Sequence, residues 1–348
     1  YRERAAEEAV RESELFSLHD LEAVTLDGVR LTLRVNLDLP EEAELAAQSG
    51  GDGVGLMRTE FLVLSRTTMP DEDEQYDAYS RVVRCFPDQA VIIRTFDLGG
   101  DKLPVGGYPH EANPFLGWRA IRMCLDQPEM FKTQLRAMLR AAEHGDLRIL
   151  LPLVVSIDEV LATRMLLREA ASELASRGVP HRHSVPLGAM VETPAAALTA
   201  DAIAGEVDFF SIGSNDLVQY TLAVDRGNAN LAERFTPLHP GVLRLIKRTA
   251  EVGHAHKLEV CVCGEMATDP LTAYALIGLG ITHLSVAHRA VPLIKRLVRE
   301  ISAKDAEVSM AAALKSGSAA TAGVILQASL DKVTAASQLA LAHPARLG

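Results

Sequence analysis

Eight apolar, strand-like runs alternate with helix-like segments, and this alternation constrains the fold more than any other feature of the sequence. The runs lie near 31–36, 53–58, 90–96, 148–154, 186–192, 207–213, 258–263 and 282–287. Helical segments at 40–49, 71–85, 113–144, 157–177, 194–204, 239–256 and 270–279 separate them. Strands joined by helices pair in parallel, and eight such units are typical of a (β/α)8 TIM barrel of the α/β class.

A doubly wound open sheet is the competing arrangement. The chain lacks the glycine fingerprint of a Rossmann sheet, and its eight units fit within about 260 residues. We therefore expect a barrel over residues 31–300. Residues 1–30 are predicted to be a linker helix, at 2–15, and a lead-in segment. Residues 301–348 are predicted to form C-terminal helices, near 305–315 and 326–342, packed outside the barrel.

Composition excludes several classes of function. The net charge of −11 opposes a nucleic-acid-binding surface, which needs a basic face. No apolar run is long enough to span a membrane, and no secretion signal precedes the first strand. We expect a cytoplasmic protein. The cysteines at 85, 124, 261 and 263 are scattered, as in a reduced compartment, and their spacing matches no zinc template.

Two apolar runs end on acidic side chains. The first, Gly188-Ala-Met-Val-Glu-Thr-Pro194, carries Glu192, and the second, Phe209-Phe-Ser-Ile-Gly-Ser-Asn-Asp216, ends on Asn215 and Asp216. Neighbouring parallel strands would bring both carboxylates to one mouth of the barrel. Such a pair suits Mg²⁺, which takes few protein ligands and leaves positions for substrate oxygens. Two unrelated surface acids at strand ends would produce the same pattern.

Arginines and one thiol follow the other strands at the same mouth. Arg58 and Arg94 end the second and third strands, while Arg119 and Arg226 lie in loops after the third and sixth. Guanidinium groups bind phosphate and carboxylate oxygens in a bidentate manner, so their grouping indicates a receptor for a small phosphorylated acid. Cys263, at the end of the seventh strand, is either an inert core thiol or a proton donor. Each arginine taken alone is more commonly a surface residue or part of an ordinary salt bridge.

Together these motifs resemble Enzyme I of the sugar phosphotransferase system, the family of phosphoenolpyruvate–protein phosphotransferases. The resemblance covers roughly 20–300 and extends more distantly to pyruvate phosphate dikinase. Seven motifs carry it, in the family's order: Gly53-Val-Gly-Leu-Met-Arg-Thr-Glu-Phe-Leu62, Gly99-Gly-Asp-Lys102, Asn113-Pro-Phe-Leu-Gly-Trp-Arg119, Met190-Val-Glu-Thr-Pro-Ala195, Phe209-Phe-Ser-Ile-Gly-Ser-Asn-Asp-Leu217, Tyr220-Thr-Leu-Ala-Val-Asp-Arg226 and Cys263-Gly-Glu-Met-Ala267.

The resemblance implies a role for each matching residue. Glu192 and Asp216 would hold Mg²⁺, and Cys263 would protonate the enolate of pyruvate. Phosphoenolpyruvate would be bound by Arg58, Arg94, Arg119, Asn215, Asp216 and Arg226. The resemblance also implies a homodimer and a phosphoryl acceptor histidine on a separate domain, which then serves a histidine-containing phosphocarrier protein in sugar uptake.

The chain departs from the family pattern in several places. Val218 stands where the family often has threonine, and the stretch Leu284-Ser-Val-Ala287 and the final tail match poorly. None of the eleven histidines has the Thr-Ser-His context of the family's phosphate carrier. We therefore expect a fragment whose opening helix is the severed linker, from either a separate Enzyme I or a fused multiphosphoryl transfer protein. Alone it would bind substrate without completing the transfer.

Two other classes of function fit the same residues. One is a Mg²⁺-dependent enolate lyase or aldolase, which also uses a Glu/Asp pair and would turn over a 2-oxo acid without a protein acceptor. The other is a non-catalytic dimerisation or regulatory module, which would not respond to phosphoenolpyruvate.

Overall fold

The computed structural model describes residues 18–64, 66, 68–99 and 111–336. The predicted linker helix at 2–15, Lys102, and the end of the predicted helix 326–342 lie outside these residues.

Eight parallel strands close into a barrel. They are β1 Arg30–Leu37, β2 Val54–Met57, β3 Val91–Arg94, β4 Leu147–Leu151, β5 Leu187–Val191, β6 Phe209–Gly213, β7 Glu259–Cys263 and β8 His283–Ala287. Each pairs with the next, and β8 returns to β1 over the register Thr32↔His283 to Asn36↔Ala287. The closing pair confirms the predicted (β/α)8 barrel and excludes the open sheet. A short antiparallel strand, Ala23–Val24, leads into β1.

Helices surround the barrel and continue beyond it. They are α1 Ala43–Ala47, α2 Glu72–Cys85, α3 Ala120–Asp126, α4 Pro128–Ala141, α5 Ile157–Ser176, α6 Pro194–Leu198, α7 Ala200–Ala204, α8 Ser214–Leu222, α9 Pro240–His256, α10 Glu265–Thr268, α11 Pro270–Gly278, α12 Val291–Glu300, α13 Ala303–Leu314 and α14 Ala319–Ala336. Among the described residues, no helix combines the length and apolarity needed to cross a membrane.

Local sequence signals fix several helix starts. Asp71 and Ser156 cap α2 and α5 in capping boxes completed by Glu74 and Glu159, which satisfy the first free backbone N–H groups. Proline occupies the first turn of α4, α6, α9 and α11, where its missing N–H costs nothing. Because the helices begin close after the strands, residues that follow each strand are held at one mouth of the barrel.

The tail helices pack against the barrel's outer helices. Helix α13 contacts α11 so closely that a Cβ on Gly278 would lie 2.4 Å from the Ala306 carbonyl oxygen. Helix α14 packs on α13 and buries Leu326 and Leu330. The predicted helix at 326–342 therefore begins earlier, at Ala319, since its apolar face already finds a partner there.

The two ends of the barrel interior differ in chemistry. A compact apolar layer fills the interior of the barrel. It consists of Leu56, Ile92, Leu150, Met190, Phe209 and Cys263. Below that layer, at the strand starts, Glu259 pairs with Arg34 at 3.0 Å, with Arg148 at 3.3 Å and with His283 at 3.6 Å. Paired charges close the bottom, so the opposite mouth is the open one.

Candidate active site at the carboxyl mouth of the barrel

A cavity of about 430 Å³ opens at the carboxyl ends of the strands. This is the end of a (β/α)8 barrel at which active sites are found. Seven of the predicted site residues line it: Arg58, Arg94, Glu192, Asn215, Asp216, Arg226 and Cys263. Arg119 does not line the cavity, but its guanidinium donates hydrogen bonds to Asp97, which does line it. The structure therefore brings the predicted set together.

Glu192 and Asp216 face the cavity as buried carboxylates. They are only 2% and 5% exposed, and Glu192 accepts a hydrogen bond of 2.6 Å from the backbone N–H of Leu153. Burial raises the pKa of Glu192 well above its usual range, and the negative charges of Asp216 and Asp97 raise it further. A buried carboxylate such as that of Glu192 is unfavourable in its charged form unless a cation lies beside it.

The residues present fit a hard divalent cation. Oδ1 of Asp216 is buried and accepts no hydrogen bond, although Nη1 of Arg226 approaches it to 3.2 Å. Among the described residues, no cluster of three or more His, Cys, Asp or Glu side chains forms a metal site. Two carboxylates with open positions for substrate oxygens and water match the preference of Mg²⁺, whereas a closed structural site would need more protein ligands.

Arg94 is held by carboxylates on both sides. It is 7% exposed, its Nη2 donates to Oε1 of Glu60, and its Nη1 lies 3.2 Å from Oδ2 of Asp97. Burial alone would lower the pKa of Arg94, but the charges of Glu60 and Asp97 outweigh it and hold the pKa above its usual value. The guanidinium is thus a permanent cation in a fixed orientation.

The other three arginines are also paired. Arg119 makes a bidentate contact with Asp97, from Nη2 to Oδ1 at 2.6 Å and to Oδ2 at 2.8 Å, and lies 4.0 Å from Asp216. Arg226 contacts Asp216, and Arg58, partly exposed at the rim, contacts Asp38 at 2.6 Å. Each guanidinium rests on a carboxylate, so an incoming anion would bind to arginines that are already oriented.

Cys263 lies at the floor of the cavity. Its side chain is 2% exposed, and its Sγ lies 3.3 Å from Oγ of Ser211 and 3.6 Å from the Ile212 carbonyl oxygen. Burial raises the pKa of the thiol, Ser211 opposes that shift, and the charge of Glu192 adds to it. Cys263 is therefore a neutral thiol that can give a proton, and a poor nucleophile at neutral pH.

Backbone strain is concentrated beside these residues. Four non-glycine residues in the described chain have positive φ, and three of them adjoin the site: Ala120 (φ 54°) follows Arg119, Leu153 (φ 56°) supplies the N–H to Glu192, and Ala223 (φ 54°) ends α8 ahead of Arg226. Such conformations cost on the order of 1–3 kcal/mol each and persist where the surrounding structure imposes them. Gly213 leaves space for the carboxylate of Glu192, since a Cβ at position 213 would lie 2.4 Å from Oε2 of that residue.

Several residues of the site were not predicted from the sequence. Glu60 and Asp97 orient the arginines, Ser211 contacts the thiol, Tyr220 bonds to Arg119, and Glu265 exchanges hydrogen bonds with Asn215. Glu60 and Asp97 carried a usable signal, because each follows a predicted site arginine by two or three residues just past a strand end. Ser211 and Tyr220 carried none, since single hydroxyl residues in buried segments are common.

Comparison with known proteins identifies the domain. The family described as PEP-utilising enzyme, PEP-binding domain, matches residues 12–303. Proteins named phosphoenolpyruvate-protein phosphotransferase are similar to this chain: that of Haemophilus influenzae is 43% identical over 309 residues, and that of Staphylococcus carnosus is 44% identical over 290. The alignments cover 88% and 83% of this chain but 54% and 51% of those relatives.

The chain spans about half the length of the curated relatives that it matches. The family match, by contrast, takes in every strand of the barrel and every residue of the cavity described above. The chain therefore belongs to the family of PEP-utilising enzymes, and its barrel is the PEP-binding domain of that family.

Proposed function

We propose that the cavity binds phosphoenolpyruvate and supports transfer of its phosphoryl group to a histidine on a separate domain, with release of pyruvate. The observation that carries this proposal is the meeting of two buried carboxylates, oriented guanidinium groups and a neutral thiol in one cavity of about 430 Å³. A small phosphorylated acid fits a cavity of this size, and its oxygens are the groups that guanidinium ions bind.

The arginines bind and orient the substrate. Arg94 and Arg119 are buried and fixed, so their N–H groups would hold phosphate or carboxylate oxygens without further loss of side-chain freedom. Arg226 and Arg58 lie nearer to solvent and would close around the same anion. Fixed cations favour phosphoryl transfer because they stabilise the charge that spreads over the equatorial oxygens.

Glu192 and Asp216 would hold Mg²⁺, with Asn215 beside them as a further contact to substrate oxygens. The ion, when bound, supplies positive charge to the phosphate and carboxylate oxygens of the substrate. Without it, the carboxylates at 192, 216 and 97 would repel the anion as well as one another. Binding of phosphoenolpyruvate is therefore expected to depend on a divalent cation.

Cys263 would complete the reaction as a proton donor. When the bond between phosphorus and the enol oxygen breaks, that electron pair stays on the departing enolate. The enolate oxygen electrons then form the carbonyl while the methylene carbon takes the proton from the sulfur of Cys263, which gives the methyl group of pyruvate. The thiolate left behind regains a proton from water, and the raised pKa of Cys263 favours that return.

The proposal extends to partners that follow from the resemblance and from the names of the relatives. The acceptor histidine would lie on a phosphohistidine domain and pass the phosphoryl group to a histidine-containing phosphocarrier protein, as a first step of sugar uptake. A homodimer in the cytoplasm belongs to the same proposal. Sedimentation velocity tests the dimer.

Titration calorimetry tests the central claim. Phosphoenolpyruvate should bind the chain in MgCl₂ and not in EDTA, and Glu192→Ala should remove the Mg²⁺-dependent binding. Glu44→Ala, which removes a carboxylate that is 74% exposed on α1, should bind as the parent does. Unchanged binding in Glu192→Ala would reject the cation site, and no binding in the parent would reject the function.

An assay of pyruvate release separates the proposal from a lyase or aldolase. The chain should release no pyruvate from 2-oxo acids when no protein acceptor is present. Turnover under those conditions would favour the lyase.

A further inference from the structure

Two aromatic residues join the loop that carries Arg119 to the helix on the other side of the mouth. Phe115 lies in a 3₁₀ turn, Pro114–Leu116, just ahead of Arg119, and Tyr220 lies in α8, just ahead of Arg226. The hydroxyl of Tyr220 donates to the Phe115 carbonyl oxygen and accepts from Nη1 of Arg119 at 3.3 Å. One side chain therefore contacts both the loop backbone and a site arginine.

The ring of Phe115 completes the connection. The Cζ atom of Arg119 lies 5.7 Å from the ring centroid, and that of Arg226 lies 5.9 Å from it. Both distances fall within the range of an attractive cation–π contact. A single ring, 37% exposed, thus stands between guanidinium groups that come from different loops.

We propose that Phe115 and Tyr220 form a bracket that holds the guanidinium groups of Arg119 and Arg226 toward Asp216 and the cavity. They act as positioning residues for the anionic ligand, and this inference rests on the function proposed above. The bracket restricts the orientation of both guanidinium groups beyond what their carboxylate partners do. The restriction matters most for Arg226, which is half-exposed.

The bonding of Tyr220 supports the inference. A neutral phenol can donate one hydrogen bond and accept others through its lone pairs. Here the Tyr220 hydroxyl donates to the Phe115 carbonyl oxygen, and Arg119 donates to the Tyr220 oxygen. Burial raises the pKa of Tyr220 to about 12, with Arg119 opposing and Asp216 reinforcing the shift, so the hydroxyl keeps its proton at neutral pH. Removal of that oxygen would leave one carbonyl and one guanidinium N–H without this partner.

The loop itself is shaped for close contact. Gly99 forms a bridge with Arg119, and a Cβ on Gly99 would lie 2.3 Å from the Cβ of Arg119. The Ala120 N–H donates to the Leu98 carbonyl oxygen at 3.0 Å. Leu98 and Gly99 thus hold Arg119 and Ala120 on the β3 side, and the bracket holds Phe115 on the β6 side.

Calorimetry with phosphoenolpyruvate and MgCl₂ tests the bracket in the full chain. Tyr220→Phe should weaken binding about three- to tenfold, the loss expected for one net hydrogen bond. Arg119→Lys should cost less in the Tyr220→Phe background than in the parent, because the two residues act together. Tyr76→Phe is the matched control: it removes a hydroxyl that bonds to His144, and it should not change the affinity.

A measurement without ligand distinguishes failure of the bracket from failure of the proposed function. Rotation about the Cζ–Nη bonds of Arg119, followed by nuclear magnetic resonance, should be slow in the parent and in Tyr76→Phe and faster in Tyr220→Phe. Equal rotation rates in the parent and Tyr220→Phe, or equal affinities of the two for phosphoenolpyruvate, would overturn the bracket. So would effects of Tyr220→Phe and Arg119→Lys on affinity that are independent of each other in the double variant. A parent that binds no phosphoenolpyruvate but shows the rotation difference would reject the proposed function and support the bracket.

Discussion

Replacement of Glu192 by glutamine should stabilise the protein when no metal is present. The side chain is 2% exposed, and the charges of Asp216 and Asp97 raise its pKa. Glutamine keeps an oxygen that can accept the 2.6 Å hydrogen bond from the Leu153 N–H, and it removes the charge. The prediction is unusual because most buried substitutions destabilise.

The size of the effect follows from opposing contributions. A buried charge without a full partner costs several kcal/mol, and attraction to Arg94 offsets part of it, so we expect a gain of about 1–3 kcal/mol. For a chain of 348 residues that corresponds to a rise in Tm of roughly 1–4 °C. An acid with a raised pKa contributes stability at low pH that is lost as pH rises through the raised value. The gain should therefore be largest above the raised pKa of Glu192 and shrink as the pH falls.

Mg²⁺ should cancel or reverse this difference in stability. At a concentration one hundred times its Kd, the ion should stabilise the parent by about 2.7 kcal/mol and Glu192→Gln by almost nothing. Differential scanning fluorimetry in EDTA and in MgCl₂ measures both effects, with Glu44→Gln as a control that should follow the parent. A lower Tm of Glu192→Gln in EDTA, or an equal response to Mg²⁺, would refute the reasoning.

Three further predictions address the proton donor, the cation site and the base of the barrel. Cys263→Ala should slow deuterium exchange at the methyl group of pyruvate and leave phosphoenolpyruvate binding largely intact; an unchanged exchange rate would remove the thiol from its role. Gly213→Ala should displace the carboxylate of Glu192, since the new Cβ would lie 2.4 Å from Oε2, and should reduce the Mg²⁺-dependent stabilisation of about 2.7 kcal/mol by at least half. Burial lowers the pKa of His283 below its usual 6.5, although the charge of Glu259 opposes the shift. The neutral ring therefore contributes stability to the fold above pH 6.5, and this stability is lost as the pH falls through the lowered pKa. His283→Gln should therefore flatten the acid side of a plot of unfolding free energy against pH, and an unchanged slope in urea titrations would contradict this.

The sequence by itself determined the barrel and the composition of its mouth. Eight apolar runs separated by helical segments predict parallel strands, because each run has the length of a strand and each connection the length of a crossover helix. Acids and arginines at the ends of those runs must then meet at one mouth, whatever the packing details. That is why Glu192, Asp216, Arg58, Arg94 and Cys263 could be predicted from their positions alone.

Only the tertiary structure decided how those groups interact. The pairing of Arg94 with Glu60 and of Arg119 with Asp97 depends on side-chain orientations at distances of about 3 Å, which no sequence pattern encodes. The link between Phe115 and Tyr220 joins residues 105 positions apart, and the pKa of Glu192 depends on carboxylates that follow two other strands. Periodicity specifies which face a residue occupies, whereas charge pairing and desolvation arise only when the closed barrel brings distant loops together.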